Sequence, residues 1–351
     1  MRLRRQRARP VPIRPLDLHT SDAVFDFLDA IVSRRGRTHW EWKYGGQHQK
    51  APCGFYWEES DGRVLGFIGL MHTDLHAAGK RHPAAWFVDW HVVPGERGIG
   101  VGLGLLRKAE AATGALLTLQ GSADTQSILP RLGWKRSFSP ETWTLPVTAR
   151  FLSAGIAERM PTWLRPFAPA AGVAARYFRG AQPSPRADFA LVDIQRFPLS
   201  YDAVWEARAA EFASIMRRDP TYLNYLCADY PDGGYHLQLL QRRGQTLGHL
   251  ISRVDGDRRG FRRGRIVDLL WPPADRALGA WALRSACWQL QLAGADYIDL
   301  VASTPLSGEL ARDARFRRRT PVPIWYHRLV AGSPSPDTWH ITFLDCDRAY
   351  R

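Results

Sequence analysis

The chain has 351 residues and a formal net charge of +14, from 48 Lys and Arg against 34 Asp and Glu. At roughly 100 to 200 residues per domain this length predicts two domains, and 45% hydrophobic with 23% charged residues excludes global disorder. No stretch reaches the roughly 18 uncharged apolar residues of a membrane span, and no apolar segment follows the basic N-terminus as in a secretory signal. We therefore expect a cytoplasmic protein without a membrane span.

The charge and the cysteines narrow the range of partners. The excess of positive charge favours polyanions, such as a phosphate-rich cofactor, nucleic acid or anionic lipid, and nucleic acid is the weaker alternative to a cofactor. The four cysteines lie far apart, without a C-x-x-C pair or histidines at metal-binding spacing. The sequence therefore predicts neither a disulfide framework nor a metal site.

In chain order, the first predicted elements are a hairpin, a strand, a helix and another strand. The hairpin is GFYWEESDGRVLGFIGLM (54–71), and the segment LGLLRKAEAATGALLTLQGS (103–122) predicts the helix, a Gly-containing break and the last strand. The same order recurs later in the chain, where the strand FVDWHVVP (87–94) aligns with IVDLLWPP (266–273) at an offset of 179. Three matching stretches in one order indicate a duplicated unit.

The duplication predicts a mixed α/β fold, an α+β type with mixed sheets, in two domains. The first domain is expected at 1–150 and the second at 186–330. Residues 151–185 mix short helical periodicity with Pro and Ala, which predicts a linker with one or two short helices; packing against its own domains is the expected fate, and contact with a membrane surface is the alternative. In the tail, 331–351, alternation from Thr338 to Asp347 predicts a last strand.

A glycine-rich turn, GERGIGVG (95–102), follows the strand of the first copy and precedes its helix. Such a turn presents free backbone N–H groups and the positive end of a helix, which together bind phosphate. The dinucleotide fingerprint G-x-G-x-x-G does not fit, because Leu103 and Leu105 stand where its third glycine is required, and no Lys-Ser or Lys-Thr follows for a nucleoside-triphosphate loop. The motif that remains is R-x-x-G-x-G, from Arg97 to Gly102.

With the preceding Val-Val-Pro, this motif resembles the acyl-CoA pyrophosphate loop of the GNAT N-acetyltransferase superfamily. The resemblance covers about residues 54–140 and, more weakly, the second copy. It implies two GNAT-like domains in tandem, with acetyl-CoA or another acyl-CoA as co-substrate. It also implies that Val92 and Val93 offer backbone groups to the pantetheine arm and the acyl carbonyl. The residues implied to hold the pyrophosphate are Arg97, Gly98, Ile99, Gly100, Val101 and Gly102.

The second copy is expected to be degenerate. At the same offset, Trp281 stands where Gly102 stands in the first copy, and an indole there is expected to keep phosphate away from the backbone. We therefore expect one working cofactor site, in the first half, with the second half as scaffold or substrate wall.

Two catalytic candidates lie on the strand before the turn. Alternation puts four side chains on one face of that strand: Phe87, Asp89, His91 and Val93. His91 suits a base or a water relay because histidine titrates near neutral pH, and a buried, hydrogen-bonded histidine is the alternative interpretation.

Asp89 is the second candidate, as a base for the amine. The degenerate copy keeps it as Asp268, so a structural role is the alternative. Many GNAT members place a Tyr acid where this chain has Leu129, and this departure leaves the general acid open.

Two further groups are interpreted more simply. Trp40, Trp42 and Tyr44 are expected in the core, with stacking on a sugar or acyl chain as the alternative. Arg217 and Arg218 are expected on a solvated face, with binding of an anionic substrate as the alternative.

These observations predict an acyl-CoA-dependent N-acyltransferase, without a metal, that transfers directly to an amine of a small metabolite or sugar precursor. One alternative is a Fem-type transferase, which is also built from two GNAT-like halves and takes an aminoacyl group from tRNA; the charge favours it and the intact loop motif opposes it. Another alternative is a non-catalytic module that binds CoA or a partner.

Overall fold

The structure is a computed structural model. It describes residues 13–16, 22–45, 52–59, 61–98, 100–119, 121–136, 140–158, 160–177, 188–319, 324–326 and 339–347. In this part of the chain no helix is long and apolar enough to cross a membrane.

Strands and helices alternate along the described chain. The strands are β1 (Ile13–Pro15), β2 (Gly54–Glu58), β3 (Val64–Ala77), β4 (Lys80–Val92), β5 (Ala115–Leu119), β6 (Lys135–Arg136), β7 (Glu141–Pro146), β8 (Phe189–Ile194), β9 (Ser214–Met216), β10 (Tyr235–Arg242), β11 (Gln245–Gly256), β12 (Arg262–Leu270), β13 (Tyr297–Ala302), β14 (Arg317–Arg318), β15 (Ile324–Tyr326) and β16 (Trp339–His340). The α-helices are α1 (Asp22–Ile31), α2 (Arg37–Gly45), α3 (Val101–Ala112), α4 (Ala123–Arg131), α5 (Ala149–Ala157), α6 (Ala168–Tyr177), α7 (Asp202–Ala209), α8 (Pro220–Leu223), α9 (Arg276–Leu292) and α10 (Pro305–Asp313).

Side-chain caps fix where several helices begin. In each case a hydroxyl or carboxylate accepts a hydrogen bond from a backbone N–H in the first turn, which satisfies a donor that the helix itself cannot pair. The capping residues are Ser122, Thr148, Asp219, Asp275 and Thr304.

The first sheet has the strand order β1-β2-β3-β4-β5-β15-β6, and β9 joins the far end of β3 and carries β16. β3 and β4 form a long antiparallel hairpin, and β4 then runs parallel to β5 through the crossover helix α3. Apolar residues of α3 pack on one face of this sheet. The opposite face packs against α1, α2 and parts of the second half.

The second sheet has the order β14-β7-β13-β12-β11-β10-β8. Its centre repeats the first sheet: β11 and β12 are antiparallel neighbours, and β12 runs parallel to β13 through the crossover helix α9. The predicted order of hairpin, strand, helix and strand is therefore present in both halves, and the mixed α/β fold is confirmed.

The two sheets exchange strands. β7 follows the first half in sequence but pairs with β13 in the second sheet. β15 follows the second half but pairs with β5 and β6 in the first sheet. The expected domain boundaries at 150 and 330 stay predictions, and backbone hydrogen bonds of the sheets run across both of them.

The linker and the tail differ in regularity. The region predicted as a linker contains α5, a 3₁₀ helix at Thr162–Phe167 and α6. In the tail, the predicted strand from Thr338 to Asp347 is confined to β16, and Thr338 lies outside the described residues. The chain turns after β16 because the Asp345 carboxylate accepts a hydrogen bond from the Thr342 amide at 2.9 Å. This tail is buried between the halves.

Candidate functional site

Strands β4 and β5 run side by side only over their first part. Backbone pairing joins Ala84 to Ala115 and Trp86 to Leu117 and then ends, although β4 continues to Val92. The two strands therefore separate and leave an opening at their carboxyl ends, and no described residue pairs with the edge of β4 along it.

A β-bulge lies in β4 beside this opening. Gly69 of β3 pairs with Val88, and Phe67 pairs with His91, so β4 contains one residue more than β3 at this point. Asp89 takes a φ of 50°, a left-handed conformation that residues other than glycine adopt rarely.

The bulge shifts the alternation of side chains along β4. Phe87 before the bulge and Trp90 after it both pack on the side of α3, whereas Val93 packs in the core on the opposite side. Asp89 also points to that opposite side, where it contacts α2. The predicted common face is therefore wrong for Phe87, because one extra residue reverses the period of two.

The glycine-rich turn connects β4 to α3 at the opening. Gly98 and Gly100 have φ values of 87° and 100°, and a Cβ on either would meet nothing within 4 Å, so they are needed for backbone conformation and leave open space. The first helical hydrogen bond runs from Gly104 N to Gly100 O, and no side chain caps the helix. Among the described residues, none accepts a hydrogen bond from the amides of 101–103. Ile99 lies outside the described residues.

This turn has the features of an anion site. The amides of 101–103 stand in the first turn of α3, at the positive end of the helix, a geometry that favours phosphate. Arg97, on the preceding turn, is exposed and adds a positive charge beside it.

Val92 and Val93 differ in what their backbones offer. The Val93 amide donates to Leu65 O at 2.9 Å, and its carbonyl accepts from the Glu96 amide at 3.0 Å. In an antiparallel ladder the neighbouring residue points its backbone groups the other way, so those of Val92 face the opening, where Arg97 Nε donates to the Val92 carbonyl at 3.4 Å. Of the two valines expected to meet pantetheine, only Val92 has its amide on the open edge.

Gly102, the last glycine of the motif, and Gly104, two residues later, contribute to packing. Gly102 O accepts a hydrogen bond from Trp90 Nε1 at 3.2 Å, which ties β4 to the first turn of α3. A Cβ on Gly104 would lie 2.9 Å from Ile13 and 3.3 Å from Trp57, so this glycine lets α3 approach β1 and β2 closely.

Asp89 lies in a buried ionic cluster. Its Oδ2 accepts hydrogen bonds from Lys43 Nζ at 2.6 Å and from Tyr44 Oη at 2.5 Å, and Lys43 also lies 3.4 Å from Asp347 of the tail. Tyr44 reaches Asp89 across Gly69, where a Cβ would lie 2.1 Å from its hydroxyl. These contacts fit the structural role that the sequence left open for Asp89: they hold the bulge. Lys43 and Asp347 are not among the residues that the sequence predicts for this site.

His91 lies directly after the bulge. It is half-buried and pairs with Phe67 in the ladder. By alternation with Trp90 it lies on the Val93 side of the strand. Its role as a base stays a prediction.

Comparison with known proteins agrees with this arrangement. The sequence model of the acetyltransferase (GNAT) family matches residues 18–124, the part that holds the opening and the turn. This part of the chain is a GNAT domain. No curated protein matches the chain by sequence.

Solved structures extend the GNAT likeness of fold to the rest of the chain. A GCN5-related N-acetyltransferase from Anabaena variabilis has a TM-score of 0.62 at 13% identity, over 90% of this chain and 72% of that one. Saccharomyces cerevisiae N-myristoyltransferase, solved with bound myristoyl-CoA and inhibitors, has a TM-score of 0.60 at 10% identity, over 94% of this chain and 86% of that one. A probable N-acyltransferase from Enterococcus faecalis has a TM-score of 0.60 at 10% identity, over 90% and 72%.

The second GNAT-like half also has a β-bulge, between Ile266 and Asp268 of β12, with a different ionic cluster beside it. Asp268 replaces Asp89, and its Oδ2 accepts from Arg218 Nε at 2.7 Å and lies 2.9 Å from His249 Nε2. Arg218 also donates to Asp345 of the tail at 2.6 Å. The expectation of a solvated face is wrong for Arg218, whose side chain is 1% exposed, because it neutralises two buried carboxylates.

Burial and charge act against each other in this cluster. Burial disfavours the charged form of Asp268, but the Arg218 charge and the His249 hydrogen bond outweigh it, so the pKa of Asp268 lies well below its ordinary value. Burial raises the pKa of Asp345 in spite of Arg218. Burial also lowers the pKa of His340, which lines the same region, to about 4.

The anion site is absent from the described turn of the second half. At the offset of 179, α9 begins at the residue that aligns with Arg97, about one turn earlier than α3. The Asp275 carboxylate caps it by accepting from the Leu278 amide at 3.1 Å, so a negative charge stands where phosphate would bind. The predicted obstruction by Trp281 differs from the structure, since that indole packs on Phe189 at 5.5 Å.

A small cavity remains where β12 and β13 separate. It measures about 40 Å³ and is lined by Ile266, Asp268, Leu269, Trp271, Leu283, Leu300, Val301, Ser307, Leu310, His340 and Thr342. A Cβ on Gly279 of α9 would lie 2.5 Å from Trp271 Nε1, so this indole closes the cleft against the helix. The second half therefore keeps the shape of a GNAT cleft without its phosphate turn.

Two further observations concern the general acid and a metal ion. Leu129, where many GNAT members have a Tyr acid, is fully buried in the core beside α3. Within the described ranges, no group of three or more His, Cys, Asp or Glu side chains is placed to hold a metal ion.

Proposed function

We propose that this protein is an acyl-CoA-dependent N-acyltransferase whose transfer takes place in the first half. The observation that carries the proposal is the first turn of α3, which no side chain caps, at the end of a strand that separates from its neighbour. This pairing of a phosphate-binding turn with an open strand edge suits a long ligand with a diphosphate at one end and a thioester at the other.

The chain's own groups would act as follows. The amides of 101–103 and Arg97 bind the diphosphate, and the open edge of Val92 pairs with the amide-containing arm. Transfer requires a neutral amine to attack the thioester carbonyl: a C–N bond forms, the C–S bond breaks, and the amine proton goes to a base while the thiolate leaves. A backbone N–H on the open edge stabilises the charge that develops on the carbonyl oxygen.

His91 is the proposed base. It lies on the strand that borders the opening, and its ordinary pKa suits neutral pH. Asp89 fits this role less well, because its charge is already held by Lys43 and its side chain is only 1% exposed.

Titration calorimetry tests the cofactor class. We expect binding of acetyl-CoA in the absence of acceptor; because the fold is also that of a myristoyl-CoA-binding enzyme, myristoyl-CoA is titrated beside it to establish the acyl length. A mass-spectrometric screen for acylated amines among small metabolites and amino sugars then identifies the acceptor. Binding without turnover across the panel favours a non-catalytic module.

The net charge of +14 favours the Fem-type alternative, so aminoacyl-tRNA is titrated in the same way. Tight binding of aminoacyl-tRNA, together with no binding of any acyl-CoA, contradicts the proposal and supports that alternative.

A further inference from the structure

The helical segment between the two sheets exposes large apolar side chains. In the 3₁₀ helix, Trp163 is 73% exposed and Phe167 is 62% exposed, and Val173 of α6 is 59% exposed. Solvent exposure of an indole and a phenyl group so close together is unfavourable in water, and such patches mark interaction sites. We call residues 148–177 the interdomain hairpin.

The opposite side of the interdomain hairpin is firmly packed. Phe151 stacks on Tyr297 at 4.3 Å and meets Phe261 edge-on at 5.2 Å. α5 and α6 lie so close that a Cβ on Gly172 would be 2.1 Å from Ser153 Oγ. The exposed side chains therefore stand on a well-anchored base.

The sequence of this region is strongly basic, and Arg165 is exposed between Trp163 and Phe167 in the 3₁₀ helix. Between 148 and 186 the sequence contains one acidic residue, Glu158, and six arginines: Arg150, Arg159, Arg165, Arg176, Arg179 and Arg186. Glu158 is itself paired with Arg259 at 3.0 Å. That arginine belongs to the β11–β12 turn, which Arg150 joins to α5 through a 2.6 Å hydrogen bond to Gly260 O.

We propose that the interdomain hairpin docks the protein on an anionic lipid bilayer. Trp and Phe favour the boundary between headgroups and acyl chains, and arginines pair with headgroup phosphates. The basic sequence of the segment and the exposed Arg165 complement a surface of uniform negative charge. The two signals act together, since insertion of Trp163 and Phe167 brings Arg165, which lies between them in the 3₁₀ helix, within a Debye length of the headgroups.

Co-sedimentation with vesicles tests the proposal without any use of catalysis. The full-length protein is mixed with vesicles of phosphatidylcholine plus phosphatidylglycerol, and with vesicles of phosphatidylcholine alone. We expect binding to the anionic vesicles, weakened by salt, and little binding to the neutral ones. The double variant Trp163→Ser/Phe167→Ser is expected to bind about 100-fold more weakly, from the loss of two buried aromatic groups.

A matched control removes apolar side chains elsewhere. Leu199 and Leu292 are 79% and 69% exposed and lie outside the hairpin, so Leu199→Ser/Leu292→Ser is expected to bind like the unchanged protein. Circular dichroism confirms that both double variants are folded. Failure to bind anionic vesicles, or equal weakening by both double variants, overturns the proposal. Self-association in analytical ultracentrifugation that only the Trp163→Ser/Phe167→Ser variant loses would also overturn it, in favour of a second copy as the occupant.

Discussion

Placing a carboxylate at the start of α3 tests the anion site most directly. In the second half, the Asp275 carboxylate caps the N-terminus of α9 by accepting from the Leu278 amide, at the position where a phosphate would bind. Gly100 is the residue before α3, and a Cβ there meets nothing within 4 Å. The variant Gly100→Asp therefore places a carboxylate at the N-terminus of α3, as Asp275 does at the N-terminus of α9.

The expected loss of affinity for acetyl-CoA follows from electrostatics. A carboxylate about 4 Å from one phosphate charge costs about 1 to 4 kcal/mol at effective dielectric constants of 80 to 20, which raises Kd for acetyl-CoA by about 5-fold to about 1000-fold. The left-handed φ of Gly100 costs an Asp about 1 kcal/mol of stability, partly offset if the carboxylate accepts from the amides of 101–103. The protein therefore stays folded while its affinity falls.

Two further variants separate charge from shape and strain. Gly100→Asn has nearly the same shape without the charge, so its loss of affinity is expected to be clearly smaller. Gly79, in the β3–β4 turn, also has a positive φ, of 70°, and open space around its Cβ; Gly79→Asp is expected to cost similar stability and to leave Kd unchanged. Calorimetry at two salt concentrations measures the affinities. A Gly100→Asp protein that binds acetyl-CoA like the unchanged protein would refute the assigned site.

Three further predictions concern the buried groups and the proposed base. Arg218→Met leaves two buried carboxylates without their cation and is expected to lower the free energy of unfolding by about 3 to 5 kcal/mol, measured by urea denaturation; a loss below about 1 kcal/mol would contradict the role assigned to this cluster. Burial lowers the pKa of His340 to about 4, so the neutral side chain favours the folded state fully above the unfolded pKa of about 6.5, and the free energy of unfolding falls by about 3 kcal/mol as the pH drops to 4. In His340→Phe the free energy of unfolding should fall less steeply over this pH window. An unchanged slope would count against the buried neutral histidine. His91→Gln is expected to lower kcat with little change in Kd for acetyl-CoA, whereas Asp89→Asn should mainly lower stability; the reverse pattern would exchange the two roles.

The sequence by itself determined the repeated unit and the place of the glycine-rich turn. Both are local patterns: a strand, a run of glycines and a helix are contiguous in the chain, and the second copy shows the same order at a fixed offset. Two glycines of the turn also have a conformational reason, since Gly98 and Gly100 adopt conformations that other residues resist.

Tertiary structure decided the bulge and everything that depends on it. Period-two alternation assumes a regular strand, so it placed Phe87 with Asp89, and only the pairing of β3 with β4 shows the extra residue. The ion partners of the bulge come from distant parts of the chain: Lys43 lies 46 residues before Asp89 and 304 before Asp347. No local pattern encodes such pairs, and an isolated Lys or Arg in a sequence is interpreted as solvated. The exchange of β7 and β15 between the sheets has the same origin, because short strands find their partners through backbone hydrogen bonds that the side-chain pattern of a single segment does not specify.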